Sequence, residues 1–124
     1  MALIKGDPSH IIIPVIAEED ADYGKTDTIK FNVTVKRLRY SECQSVFKAI
    51  QSRGDNHGEP SDDALVSDFV IGWDLKGPDG TALDFNPHTL SETMEKRGHR
   101  DALIEAVMIM ILGKKVMERL RQKN

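Results

Sequence analysis

Apolar residues along this chain change spacing near residue 40, from every second position to every third and fourth, which divides a β-rich beginning from a helical remainder. The run Ile11 to Ile16 is apolar but contains Pro14, which has no N–H for a sheet ladder, so it predicts an edge strand or an irregular start. Glu18 to Asp27 is acidic, holds Gly24 and reads as a solvated connection that could close a hairpin. Beyond it, Ile29, Phe31, Val33 and Val35 alternate with Lys30, Asn32, Thr34 and Lys36, the signature of a strand with one buried face.

Helical spacing follows. Ser41 can cap a first turn with Gln44 reaching back, and Cys43, Val46, Phe47 and Ile50 then share a face up to Gly54. The segment Gln51 to Asp63 is polar, with two glycines and a proline, and reads as a loop. Ser61 or Asp62 can cap a helix burying Leu65, Phe69, Val70 and Trp73, although a strand around Val70 also fits. Lys76-Gly77-Pro78-Asp79-Gly80 is a turn, over which Trp73 is expected to close the core. Asn86 caps and Pro87 opens a short helix to about Lys96, Gly98 ends it, and a last long helix starts near His99 to Asp101. The pattern gives an α+β class: a β-hairpin or small antiparallel sheet over 10–39, then about four helices over 41–120, with a loop at 51–61 and a turn at 76–81.

The last helix is the informative one, because between Ala102 and Leu112 only Glu105 is polar. At 100° per residue, Leu103, Ile104, Val107, Met108 and Ile111 form an inner stripe for the core. Ala106, Ile109, Met110, Val116, Met117 and Leu120 form a second apolar face, and the stripe changes sides near Gly113. A chain this short has little material to cover both faces, so the second is expected to bind a partner, with unbranched methionines to adapt to it.

With 124 residues the chain fits a single domain. A net charge of −3 gives no footprint for nucleic acid, and Lys36, Arg37 and Arg39 read as a solvated face rather than the contact of a small nucleic-acid-binding regulator. No stretch reads as a signal peptide or a membrane span, so a cytoplasmic protein without membrane contact is expected. Cys43 stands alone, which excludes an internal disulfide and a thiolate zinc site, and the sequon at Asn32 has no secretion to make it matter. Asp20 to Gly24 fails the calcium-loop pattern at Gly24 and at Phe31, where a glutamate is needed. Asp55, His57 and Glu59 define no metal geometry; His10, His88 and His99 sit at element ends beside no nucleophile motif; Gly113-Lys114 lacks the upstream glycine of a P-loop. Neither an enzyme nor a cofactor is expected.

Phe69-Val70-Ile71-Gly72-Trp73-Asp74, then Asp79-Gly80, Phe85-Asn86-Pro87, a helix ending in Gly-Lys-Lys and the final Lys123-Asn124 resemble tail assembly chaperones of long-tailed, lambda-like bacteriophages. The likeness spans most of the chain and is most specific from Trp73 to Pro87; the polar loop Gln51 to Pro60 and Thr89 depart from the family pattern. The resemblance implies a non-enzymatic protein of the host cytoplasm that coats the phage tape measure protein and is absent from the mature virion. It also implies self-association into rings or spirals, and a frameshifted longer form of the chain, for which the codons of Lys123-Asn124 could supply a slippery site. A minor tail or head-tail joining protein would share the small size and mixed structure.

Overall fold

The structure, a computed structural model, describes residues 9–53 and 58–122, the last three as backbone alone. β1 (His10–Asp20) and β2 (Thr26–Lys36) form an antiparallel hairpin in unbroken register from His10 opposite Lys36 to Asp20 opposite Thr26. Its acidic connection is a tight turn with Tyr23 and Gly24 at φ 62° and 71°, closed by the Ala21 N–H donating to the Lys25 carbonyl at 2.8 Å. The period-two pattern sorts the two faces. Ile13, Val15, Ala17, Phe31, Val33 and Val35 are buried, while Ile12, Pro14, Ile16, Lys30, Asn32 and Lys36 are exposed.

α1 (Tyr40–Ser52) starts one residue ahead of the expected Ser41 cap. The Arg39 N–H donates to the Glu42 carboxylate at 3.1 Å, and Gln44 instead bonds the Tyr40 hydroxyl. α2 (Asp62–Phe69) is capped by Ser61, whose hydroxyl accepts from the Ala64 N–H at 3.1 Å. The helix predicted to continue to Trp73 stops at Phe69, and β3 (Val70–Trp73) adds to β2, giving the order β1-β2-β3. β2's second backbone edge needs hydrogen-bond partners, and that demand outweighs the helical spacing of Val70 and Trp73. Val33 pairs with Trp73 and Thr34 with Gly72, and Val35 pairs with Val70, leaving Ile71 as the extra residue of a bulge.

α3 (Pro87–Met94) has the expected start: the Asn86 side chain accepts from the Thr89 N–H at 2.9 Å while the Thr89 hydroxyl accepts from the Asn86 N–H at 3.0 Å. α4 (Arg97–Leu112) includes Gly98 in its first turn, so this glycine does not end the preceding helix. Gly113, at φ 90° and ψ 147°, breaks α4 from α5 (Lys114–Gln122). The described residues form one α+β domain with its antiparallel sheet at the N-terminus joined by a strand from mid-chain, and five α-helices.

α4 packs beneath β1 and β2, with α1, α2 and α3 against its other sides. Its buried stripe is His99, Ala102, Leu103, Ala106, Val107 and Ile111, while Ile104 and Met108, expected inside, are half-buried. Leu103 and Val107 each contribute about 2 kcal/mol by leaving water. The second apolar face expected to await a partner is therefore partly consumed within the chain: Ala106 is buried, and Ile109, Met110, Val116 and Met117 are half-buried. Ala106 has 0% exposure and belongs to the core, because the other helices supply the cover that chain length seemed to deny.

Candidate partner-binding site

Among the described residues β1 is the outer strand of the sheet, and its backbone shows which way that edge faces. Asn32 turns its amide to Asp74, donating to Oδ1 at 2.6 Å, and its carbonyl accepts from the Asp74 N–H at 3.1 Å. Both backbone groups of Asn32 thus serve the β3 side. Pro14, directly opposite in β1, must then turn its own nitrogen away from β2, toward the open edge. The one residue without an N–H stands where an incoming strand would ask for one, a device that blunts edge-to-edge pairing.

Below that edge lies a groove of about 370 Å³ between β1, α4 and α5. Pro14, Ile16, Ile109 and Met117 give it apolar walls, and Glu18, Glu105, Lys114 and Glu118 stand on its rim. Of the six residues predicted for partner binding, Ile109 and Met117 meet here. Ala106 does not, being core, and Met110 lies against α1, its sulfur 3.9 Å from the Cys43 thiol. Val116 is half-buried on α5, and the side chain of Leu120 lies outside the described residues. The sequence reading missed Pro14 and Ile16. Their signal was the β1 alternation, which places residues 12, 14 and 16 on the face opposite the core.

The pose of α4 beneath β1 is set at its N-terminus. Lys96, the residue before the helix, supplies no capping side chain, and the carboxylate of Glu19 does so from β1. It accepts from the Gly98 N–H at 3.1 Å, from the His99 N–H at 2.8 Å and from the His99 ring Nδ1. The His99 ring stacks on Phe31 with centroids 5.9 Å apart. Burial alone would raise the Glu19 carboxyl, but the hydrogen bonds from the His99 ring and from the amides of Gly98 and His99 hold it below its ordinary value. Sequence alternation puts Glu19 on the core face of β1, and an inward carboxylate at a strand end calls for such a partner.

Among the described residues no group of three or more His, Cys, Asp or Glu side chains could hold a metal ion, and no helix is long and apolar enough to cross a membrane. Asp55 and His57 lie outside the described residues. Cys43 is buried in the core, where desolvation, with Glu42 nearby, pushes its thiol up and away from reactivity. His88 is exposed and pairs with Glu92 one turn along α3 at 2.5 Å. Trp73 closes the core over the turn as expected, donating from Nε1 to the Leu83 carbonyl at 2.9 Å and meeting Phe85 edge to face. Apolar walls under an acidic rim offer shape and charge to another polypeptide. Compared with known proteins, the chain matches no family model, and no curated protein or solved structure is significantly similar to it.

Proposed function

We propose that this protein is a non-catalytic tail assembly chaperone of a long-tailed phage, holding apolar helical segments of the tape measure protein in the host cytoplasm until the tail tube forms around them. The observation that carries the reading is the groove beside β1, where Pro14, Ile16, Ile109 and Met117 remain open to an apolar side chain while three carboxylates ring it. Such a groove suits a client helix whose apolar face is flanked by lysine or arginine. The sequence likeness from Trp73 to Pro87 supports the choice of family. Support from a wholly open second face of α4 has gone, since Ala106 lies in the core. What remains is the smaller surface shared by α4, α5 and the β1 edge. Many weak copies along one long client would offset the small area of each contact.

Co-expression with the tape measure protein tests the reading. The wild-type chain is expected to raise the soluble fraction of the client, and Met117→Asp, a half-buried position on α5, to lower that effect while the circular dichroism spectrum stays unchanged. A client equally soluble with and without the chain would sink the proposal. Mass spectrometry of purified virions separates the competing reading, because a minor tail or head-tail joining protein stays in the particle and a chaperone leaves it.

A further inference from the structure

A second cleft, of about 620 Å³, lies between the turn end of the β1–β2 hairpin, the turn after β3 and the joint between α3 and α4, and it shares no residue with the groove beside β1. Its size suits a small molecule. Two of its lining side chains are polar and almost wholly buried: Thr93 of α3, 4% exposed, and His99 of α4, 6% exposed. Among the described residues neither the Thr93 hydroxyl nor Nε2 of His99 has a hydrogen-bond partner, yet neither atom is sealed from solvent, so both open into the cleft. A hydroxyl and an imidazole nitrogen at this depth normally find their partners within the fold. Here the partner has to come from outside.

The lining groups define that partner. Glu19 holds the proton of the His99 ring on Nδ1, which leaves Nε2 of the uncharged ring with a lone pair, so the ligand must bring an O–H or N–H to it. The Thr93 hydroxyl both donates and accepts, and a hydroxyl on the ligand answers it in either sense. Lys76, Lys96 and Arg97 are matched by Glu19, Asp27 and Glu95, so the cleft carries no net charge and favours a neutral ligand over an ion. The same side chains are donors and acceptors for further hydroxyls. Ile29, Leu75 and Leu83 supply an apolar wall for a C–H surface.

We infer that this cleft binds a small neutral polyol of the monosaccharide class, with one hydroxyl donating to Nε2 of His99, a second on Thr93 and its C–H face against the apolar wall. The site goes beyond the client groove and stands whether or not that reading holds. Heteronuclear NMR of the full chain reads it through the amides of Thr93 and His99 and through the imidazole nitrogens. Glucose, galactose, mannose and N-acetylglucosamine are the probes, each added to about 50 mM, because so few hydrogen bonds set a Kd on the order of 1 mM. At least one sugar is expected to move the Nε2 resonance of His99 saturably. For that sugar, Thr93→Val, which keeps the shape and removes the hydroxyl, is expected to weaken binding about 5-fold or more. Thr93→Ser, which keeps the hydroxyl, is expected to bind within about 2-fold of the wild type. The wild-type titration decides the ligand without any variant: sugars that all leave Nε2 unmoved overturn the inference. Saturable shifts with sodium phosphate in place of the sugars would make the cleft an anion site and overturn it as well, as would a Thr93→Val protein that binds as tightly as the wild type.

Discussion

Gly98 of α4 lies so close to the backbone of Glu18 in β1 that a Cβ added to it would sit 2.6 Å from the Glu18 carbonyl carbon and 2.9 Å from its nitrogen. Backbone cannot rotate aside as a side chain can, so helix and strand must separate to admit even a methyl group. Gly98→Ala is expected to destabilise the domain by about 3 kcal/mol, the upper part of the range for overpacking. In thermal melts that corresponds to a drop of roughly 10 °C. A melting temperature within the scatter of the wild type would show that β1 and α4 are not held this close.

Glu19, one residue further along β1, makes stability depend on acid. Its folded pKa lies below the unfolded one, so the contribution is fully present above about pH 4.5 and fades as pH falls through the lower folded value. Glu19→Gln is expected to cost about 2 kcal/mol near pH 7, the scale of a hydrogen bond to a charged group. Urea titrations at a series of pH values should show the two proteins converging as pH falls through that lower folded value, where the wild-type carboxylate itself becomes protonated.

Trp73→Phe removes the donor to the Leu83 carbonyl while keeping an aromatic ring against Phe85, and a loss of about 1 kcal/mol is expected. Trp73→Ala, which also vacates the ring's place, is expected to cost about 3 kcal/mol. Because this is the single tryptophan, unfolding is to be followed by circular dichroism rather than fluorescence. Equal losses in the two variants would mean that the hydrogen bond carries all of the effect.

Pro14→Val restores a backbone donor at the centre of the open β1 edge. The folded monomer is expected to keep its stability within about 1 kcal/mol, since valine suits an exposed strand position. Strand addition becomes available, however, and light scattering of concentrated samples should rise faster than in the wild type. An unchanged rate would remove the protective role of the proline.

The sequence announced the hairpin, the Asn86-Pro87 helix start and the closure of Trp73 over its turn, because each rests on short-range rules: alternation, capping and a local hydrogen bond. It left β3 open, since Val70 to Trp73 fit a helical face as well as a strand and only the unpaired edge of β2 decides between them. Gly98 was misread as a stop because glycine marks helix ends by conformation, whereas here it answers a steric demand from a strand 80 residues earlier. The same distance effect removed Ala106 and Met110 from the candidate site. Ala106 looked exposed on a helical projection, but the projection says nothing of how many neighbours surround a helix, and α4 is enclosed on several sides. Ile109 and Met117 were legible as surplus apolar residues; Pro14 and Ile16 join them only once the hairpin register is known.

The joint at Gly113 divides the helical ladder into two cooperative units. With its torsion angles far from helical, unwinding that begins at the distal end of α5 has no continuous hydrogen-bond ladder by which to enter α4. Amide exchange should therefore be fast beyond residue 113 and slow before it, and the wall that Met117 gives the groove can loosen and reform while the body beneath keeps its full stability.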